Sequence, residues 1–174
     1  MAQDLDAYAD AYEDGFEFAK ENELMTAAFA RMVAGALRPG GVLDLGLGRG
    51  QTALTLSACA DSYLCIEGSA EIIRRFRESY GAIAAAVSVS ECAFEEFSTG
   101  ERFGNIVMGF VLEHVGNPLS VLNRFKTLLL PGGKLFIAVP NAKSLHRRLG
   151  VAAGLMPDMF ELSESDAALG HRRY

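Results

Sequence analysis

Short apolar runs alternate with segments of helical periodicity along most of the chain. The apolar runs predict five strands, at residues 42–45, 63–66, 83–89, 105–110 and 134–139. Apolar residues at helical spacing predict helices at about 4–37, 51–60, 70–80 and 118–129. Alternating strands and helices imply right-handed crossovers, so we expect an α/β fold with a mostly parallel sheet.

Glycine and proline mark the predicted ends of these elements. The string Arg38-Pro39-Gly40-Gly41 ends the opening helical region, and Gly81 stops the helix at 70–80. Leu130-Pro131-Gly132-Gly133 is predicted to be a turn before the last strand. Nothing after Val139 has strand periodicity.

Composition and charge exclude several classes of function. The 174 residues suit one domain, and a mean hydropathy of +0.17 fits a sheet buried on both faces. A net charge of −6 argues against a broad nucleic-acid-binding surface. The three cysteines lack metal-ligand spacing, and we predict no metal site. No apolar run has membrane-spanning length and the acidic start is unlike a signal peptide, so we expect no membrane partner and a cytoplasmic location.

The most informative segment follows the first predicted strand and reads Asp44-Leu45-Gly46-Leu47-Gly48-Arg49-Gly50. Glycines at a strand-to-helix turn let the backbone bend tightly and approach a ligand. A dinucleotide site would need its third glycine at the position of Gln51. The spacing here is instead G-x-G-x-G, with an acidic residue two positions before it.

At this turn the sequence resembles the class I S-adenosylmethionine-dependent methyltransferases. The resemblance implies a Rossmann-like doubly wound sheet and S-adenosylmethionine as cofactor. A carboxylate at Asp44 can hold its ammonium group directly or through water. Glu67 matches the acidic residue that ends the second strand in that family, and it can accept both ribose hydroxyls. The cofactor-binding residues so implied are Asp44, Gly46, Leu47, Gly48, Gly50, Glu67, Gly68, Cys92, Ala93, Phe94 and Phe110.

The segment after the third predicted strand allows several registers against the adenine. Residues 92–94 can line its face, and Glu91 or Glu95 can take the exocyclic amine. Alternatively, Phe94 and Phe97 simply cover the core.

The fourth predicted strand ends in Val111-Leu112-Glu113-His114-Val115, followed by Pro118. This string resembles methyltransferases related to the ubiquinone-biosynthesis O-methyltransferases. That family usually has Phe-Asp at the start of the strand, where this chain has Phe103-Gly104-Asn105. His114 is a candidate general base for a hydroxyl acceptor. Alternatively, Glu113 and His114 cap the next helix or hold the loop.

Residues 139–174 resemble a methyltransferase subgroup with Pro-Asn-Ala, Ser-Leu-His-Arg and Gly-His-Arg-Arg motifs. His146 is a second candidate for catalysis in this segment. Arg147 and Arg148 are predicted to bind an anionic part of the substrate. Ordinary surface ion pairs are the alternative for the two arginines.

We expect one domain over 1–174, with a cofactor-binding core at 39–140 and a substrate segment at 141–174. Residues 1–38 are predicted to form a helical lid through Tyr8, Tyr12, Phe16 and Phe18, or else to pack on the far side of the sheet. The family fold normally adds strands six and seven, for which this sequence shows no pattern. Either the chain is part of a longer protein, or the last part of the fold is missing and a second copy can cover the open sheet edge as a homodimer.

The predicted function is methyl transfer to a small-molecule acceptor, a hydroxyl of a saccharide or another metabolite. The alternative is a non-catalytic module that keeps the fold and serves as a cofactor-binding or assembly surface.

Overall fold

The computed structural model describes Asp6, Ala9 and residues 18–174. The strands are β1 Val42–Leu45, β2 Tyr63–Glu67, β3 Ser88–Glu91, β4 Phe103–Gly109 and β5 Leu129–Ala138. The helices are α1 Ala19–Ala34, α2 Gln51–Ser57, α3 Ala70–Ala85, α4 Pro118–Lys126, α5 Leu145–Ala152 and α6 Glu164–Ala168.

The five strands form one sheet in the order β3-β2-β1-β4-β5, and every neighbouring pair is parallel. β1 lies in the centre, and all four of its residues are buried. The predicted α/β doubly wound parallel sheet is confirmed, and the described residues contain no strand after Ala138. The strand order reverses between β1 and β4, which is where ligands bind in such sheets.

Gly81 interrupts the helix, as predicted, but a further short helical stretch follows it within α3. α3 continues to Ala85 across a kink at Gly81, where φ is 51° and ψ is −125°. Glycine adopts this left-handed φ without the cost of a Cβ, so the helix resumes beyond it. The predicted strand at 83–89 therefore begins later, at Ser88.

The predicted turn at 130–133 lies inside β5 instead of before it. Phe103 pairs with Leu129 and Asn105 pairs with Lys134, so the four residues between them bulge out of the ladder. β5 is an edge strand, and Ile137 is 42% exposed. Pairing of this edge with a second copy remains a prediction.

Asn105 anchors the start of β4 in place of the aspartate of the family pattern. Its side chain is fully buried, and its Oδ1 accepts a hydrogen bond from the Arg38 N–H at 2.8 Å. Its Nδ2 donates to the carbonyls of Arg38 and Gly40 at 2.8 and 3.2 Å. A Cβ at Gly104 would lie 2.1 Å from the Pro39 carbonyl oxygen, so the turn before β1 packs directly on β4.

α1 covers one face of the sheet, and most of the predicted helical region before Phe18 lies outside the described residues. Phe29, Ala30 and Val33 are its buried residues, and a Cβ at Gly109 would lie 2.8 Å from the Phe29 ring. Tyr8, Tyr12 and Phe16 of the predicted lid lie outside the described residues. Within the ranges that the structure covers, no helix is both long and apolar enough to cross a membrane.

The Asn105 anchor predicts a large stability loss in Asn105→Asp. The change removes two N–H donors and buries a charge, so the free energy of unfolding at neutral pH should fall by about 3–5 kcal/mol. Urea denaturation measures the loss. Asn117→Asp is the matched control, because Asn117 is exposed and caps α4 by accepting from the Ser120 N–H. Aspartate caps equally well, so that change should stay within about 0.5 kcal/mol. Equal losses in the two variants would contradict the anchor.

Candidate functional site

A cleft of about 1050 Å³ opens at the carboxyl ends of the strands. It is walled by α1, the turn after β1, the end of β2, the loops that follow β3, β4 and β5, and the C-terminal segment. The sequence-predicted residues that line it are Gly46, Leu47, Gly48, Glu67, Gly68, Ala93, Phe94, Phe110, His114, His146 and Arg147. Asp44, Gly50, Cys92 and Arg148 are not part of the lining.

The glycine turn between β1 and α2 has positive φ angles, which residues with a Cβ rarely adopt. Gly46, Gly48 and Gly50 have φ of 84°, 50° and 87°. Gly46 and Gly48 face the cleft, where the missing Cβ leaves room for a ligand. Gly50 serves packing, because a Cβ there would lie 2.4 Å from the Phe76 ring.

The Glu67 carboxylate ties this turn to the end of β2. Its Oε2 accepts from the Leu47 N–H at 2.9 Å, and its Oε1 accepts from the Ser69 N–H at 2.8 Å. Burial raises the pKa of this carboxyl, and the backbone hydrogen bonds oppose that shift. Each oxygen retains a second lone pair that a hydroxyl in the cleft can use.

Asp44 is buried beneath the turn and does not reach the cleft surface. It is 2% exposed, and its Oδ2 accepts a hydrogen bond from the Tyr63 hydroxyl at 2.7 Å. Burial raises the pKa of Asp44 to about 7. Its predicted contact with an ammonium group stays a prediction, and in this geometry it requires a bridging water or a moved Tyr63.

The loop after β3 serves the cleft and the core together. Ala93, Phe94 and Glu95 line the cleft, while the Phe94 ring also packs edge-on against Phe125 with centroids 6.5 Å apart. Phe97 is buried and stacks on Phe125. Phe97 and part of Phe94 therefore cover the core, and the predicted contact of this segment with adenine stays a prediction.

The backbone is strained where β4 leaves the sheet. Phe110 has φ of 60°, which costs energy for a residue with a Cβ. Its N–H donates to the Ala138 carbonyl at 2.9 Å, and its ring meets Phe29 edge-on at 6.3 Å. These contacts hold the conformation and turn the following residues toward the cleft.

Glu113, His114 and His171 form a polar cluster in the cleft, here called the EHH cluster. Glu113 is 2% exposed, and neither of its carboxyl oxygens has a hydrogen-bond partner among the described residues. Burial raises the pKa of Glu113 to about 7. The rings of His114 and His171 lie edge-on with centroids 4.9 Å apart. Burial and the nearby His171 lower the pKa of His114 to about 4, so its imidazole is neutral at neutral pH.

One interpretation of the sequence was that Glu113 caps the helix that follows, and it does not do so. Asn117 caps α4 instead. Sequence reasoning missed Glu113 and His171 as site residues, although both belong to strings that carried the family resemblance. Only the fold shows that the two strings meet.

Hydrogen bonds to backbone carbonyls hold the C-terminal segment against the loop after β4. The Arg173 guanidinium donates to the carbonyls of Leu112, Val115 and Gly116. The Arg172 N–H donates to the Glu113 carbonyl at 2.8 Å. His171 is thereby held beside His114.

Arg147 lines the cleft but is committed to internal partners. It is 5% exposed, and its guanidinium donates to the carbonyls of Met159 and Glu161 and to the Tyr174 hydroxyl. It also lies 4.0 Å over the centre of the Tyr174 ring. These contacts fix the C-terminal segment, so the arrangement favours a structural role. Its predicted substrate contact stays a prediction.

The other two predicted residues of this segment are exposed. His146 lines the cleft, with its Nε2 3.5 Å from the Ser144 hydroxyl. Arg148 is exposed and does not line the cleft, so a role in substrate binding would require the acceptor to extend beyond the cleft.

The family profile described as "Methyltransferase domain" matches residues 18–166. Among curated proteins none matches significantly. The N-methyltransferase NodS from Bradyrhizobium japonicum, solved with S-adenosylhomocysteine, is similar with 21% identity over 70% of this chain and 62% of its own, at a TM-score of 0.57. The CcbJ methyltransferase from Streptomyces caelestis shares 22% identity over 63% of this chain and 49% of its own, at 0.55.

The plantazolicin methyltransferase BpumL, solved with S-adenosylhomocysteine, is 16% identical over 94% of this chain and 65% of its own, at a TM-score of 0.59. At these identities the likeness shows the fold alone. The chain spans about half the length of the Streptomyces structures that it resembles.

Burial of Asp44 predicts how stability depends on pH without any ligand. The folded-state pKa of about 7 lies above the ordinary 3.8. The stability that protonated Asp44 contributes is therefore fully present below about pH 4 and is lost as pH rises through 7. Asp44→Asn keeps an acceptor for Tyr63 and removes the charge. Relative to wild type, this variant should gain about 2–3 kcal/mol of unfolding free energy between about pH 5 and about pH 8. Urea denaturation at both pH values measures it, and a constant difference would show that Asp44 keeps its ordinary pKa.

Proposed function

The chain belongs to the family of methyltransferase domains, and from that premise we propose that it transfers the methyl group of S-adenosylmethionine to a small-molecule acceptor. The observation that carries the proposal is the distribution of groups in the cleft. The glycine turn and Glu67 follow β1 and β2, whereas the EHH cluster lies on the loop after β4 and on the C-terminal segment, and all of them line the cleft. A methyl donor and a polar acceptor therefore have separate places in one cavity.

The methyl donor is S-adenosylmethionine, which binds over Gly46 and Gly48. The backbone there approaches the ligand without a Cβ, and Glu67 accepts hydrogen bonds from the ribose hydroxyls. Ala93 and Phe94 line the cleft on the side assigned to the adenine. NodS and BpumL, which share the fold, were solved with S-adenosylhomocysteine, in support of this cofactor.

The acceptor atom is proposed to be a hydroxyl oxygen of a saccharide or another metabolite. The unpartnered oxygens of Glu113 and the neutral His114 ring present lone pairs, which accept hydrogen bonds from hydroxyl groups. NodS is an N-methyltransferase by name, but a likeness of fold does not carry its acceptor atom to this chain. His114 and His146 stay the predicted candidates for the general base.

We retain the proposal that the N-terminal region closes the cofactor end of the cleft. Phe18 and Met25 line the cleft from the start of α1. Asp6 accepts a hydrogen bond from the Ser69 hydroxyl at 2.5 Å, two residues beyond Glu67. A segment held at this rim can exclude water from the reacting groups.

Glu67 provides the direct test of the cofactor site. Glu67→Ala should weaken binding of S-adenosylhomocysteine by about 1.5–3 kcal/mol, because hydrogen bonds to a charged group are lost. Isothermal titration calorimetry measures the change. Glu78→Ala is the matched control, because Glu78 lies outside the cleft and contacts Arg74 on the exposed side of α3. Unchanged affinity in Glu67→Ala would remove Glu67 from the site, and tight binding of NAD with none of S-adenosylhomocysteine would overturn the proposed function.

A further inference from the structure

We propose that the EHH cluster binds a divalent transition-metal cation and that this cation faces the methyl acceptor. Glu113, His114 and His171 offer ligand atoms that all lie within 4.8 Å of one another. Ligands about 2.1 Å from one cation lie about 3–4 Å apart, so small side-chain rotations close the set.

Glu113 is the first observation that points to a cation. Its carboxyl group is 2% exposed and lines the cleft, yet neither oxygen has a partner among the residues that the structure describes. A buried polar group without a partner is costly, and such groups in folded proteins usually meet a water or an ion. A cation between Glu113 and the two imidazoles would satisfy both carboxyl oxygens and the ring nitrogens together.

His171 carries the supporting hydrogen bond that metal-binding histidines usually have. Its Nδ1 lies 3.1 Å from Oδ1 of Asp166. A proton on Nδ1 donates to that carboxylate, which fixes the ring and leaves Nε2 with a free lone pair. Asp166 is fixed in turn, because the Tyr174 hydroxyl and the Ser163 hydroxyl both donate to it.

The three candidate ligands are held from two distant parts of the chain. Glu113 and His114 follow β4, while His171 lies near the C-terminus. The Arg172 N–H donates to the Glu113 carbonyl, and Arg173 donates to three further carbonyls of the loop after β4. These backbone contacts set the distance between the ligands without occupying their side chains.

The donor set selects the kind of cation. Two imidazoles and one carboxylate suit manganese, iron, cobalt, nickel or zinc, whereas magnesium and calcium prefer oxygen ligands alone. Three protein ligands leave open positions, as in catalytic sites. The sequence predicted no metal site because its cysteines lack ligand spacing. The EHH cluster contains no cysteine, and its third member is remote in sequence.

The role of the cation rests on the proposed function. A hydroxyl bound to it loses its proton to solvent water more readily, as metal-bound water does. The alkoxide oxygen then forms a bond to the methyl carbon while the carbon–sulfur bond breaks. The products are a methyl ether and S-adenosylhomocysteine. A six-coordinate cation would keep adjacent open positions beside these ligands, which favours acceptors with two adjacent hydroxyl groups.

Cobalt(II) binding tests the site without an acceptor. Chelator-treated protein is titrated with Co²⁺, and visible absorption of the bound ion reports occupancy. Wild type should bind one Co²⁺ per chain, and Zn²⁺ should displace it. Glu113→Gln and His171→Ala should each weaken Co²⁺ binding by at least about 100-fold, because even residues behind a ligand cost 10–100-fold.

His146→Ala is the matched control, since His146 lines the same cleft outside the EHH cluster. Its Co²⁺ affinity should equal that of wild type. Circular dichroism and S-adenosylhomocysteine binding in chelator establish that each variant is folded. Absence of saturable Co²⁺ binding by wild type, an unchanged affinity in Glu113→Gln, or an equal loss in His146→Ala would each overturn the metal site.

The cofactor measurement separates the two proposals. Wild type that binds S-adenosylhomocysteine in chelator but never binds Co²⁺ refutes the metal site and leaves the proposed function standing. Wild type that binds Co²⁺ at the EHH cluster but no S-adenosylhomocysteine supports the site and refutes the proposed function.

Discussion

The cleft depends on one buried carboxylate. Glu67 accepts hydrogen bonds from the N–H groups of Leu47 and Ser69, and so joins the glycine turn after β1 to the start of α3. The turn has three glycines at positive φ. Because glycine loses more conformational freedom on folding than other residues, this turn needs such a link to hold one conformation. The same carboxylate faces the cleft, which makes the structural link and the proposed ribose contact two uses of one side chain.

A second set of contacts builds the other part of the cleft. The C-terminal segment leaves Leu145, Leu149, Leu155 and Phe160 largely exposed, and arginine–backbone hydrogen bonds hold it instead. Arg147 binds two carbonyls and the Tyr174 hydroxyl, and Arg173 binds the carbonyls of the loop after β4. These bonds place His171 against His114 and leave Glu113 with no hydrogen-bond partner in the described part of the chain. The EHH cluster is thus a product of tertiary structure.

The sequence predicted what local pattern determines. Apolar runs and glycine spacing were sufficient for the parallel sheet, for β1 and for the turn after it. Gly81 interrupts the helix as predicted, but the local pattern does not show that the helix resumes as far as Ala85. The bulge in β5 was predicted as a turn for a similar reason, since Pro-Gly-Gly suits both. Asn105 shows the reverse case, in which a departure from a family pattern brought an equivalent anchor one residue later.

The functional residues divide along the same line. The position of Glu67 in the cleft could be predicted because Glu67 ends a strand, and strand ends meet at one edge of a parallel sheet. Sequence cannot show that Arg147 and Arg173 hydrogen-bond to backbone carbonyls of the protein itself, an arrangement that favours a structural role for both. The sequence predicts a site role for His114 and none for its neighbour Glu113, because sequence cannot show that a carboxylate is buried without a partner. Glu113 and His114 follow β4, whereas His171 lies near the C-terminus. A local sequence pattern cannot show that residues so far apart in the chain come into contact.

A crystal structure of the protein with S-adenosylhomocysteine and Co²⁺, with data collected at the cobalt absorption edge, tests the account most directly. We predict S-adenosylhomocysteine over Gly46 and Gly48 with its ribose at Glu67, and one anomalous peak between Glu113, His114 and His171 in the same cleft. S-adenosylhomocysteine bound away from the glycine turn, or a cleft with the ligand in place and cobalt only elsewhere, would contradict it.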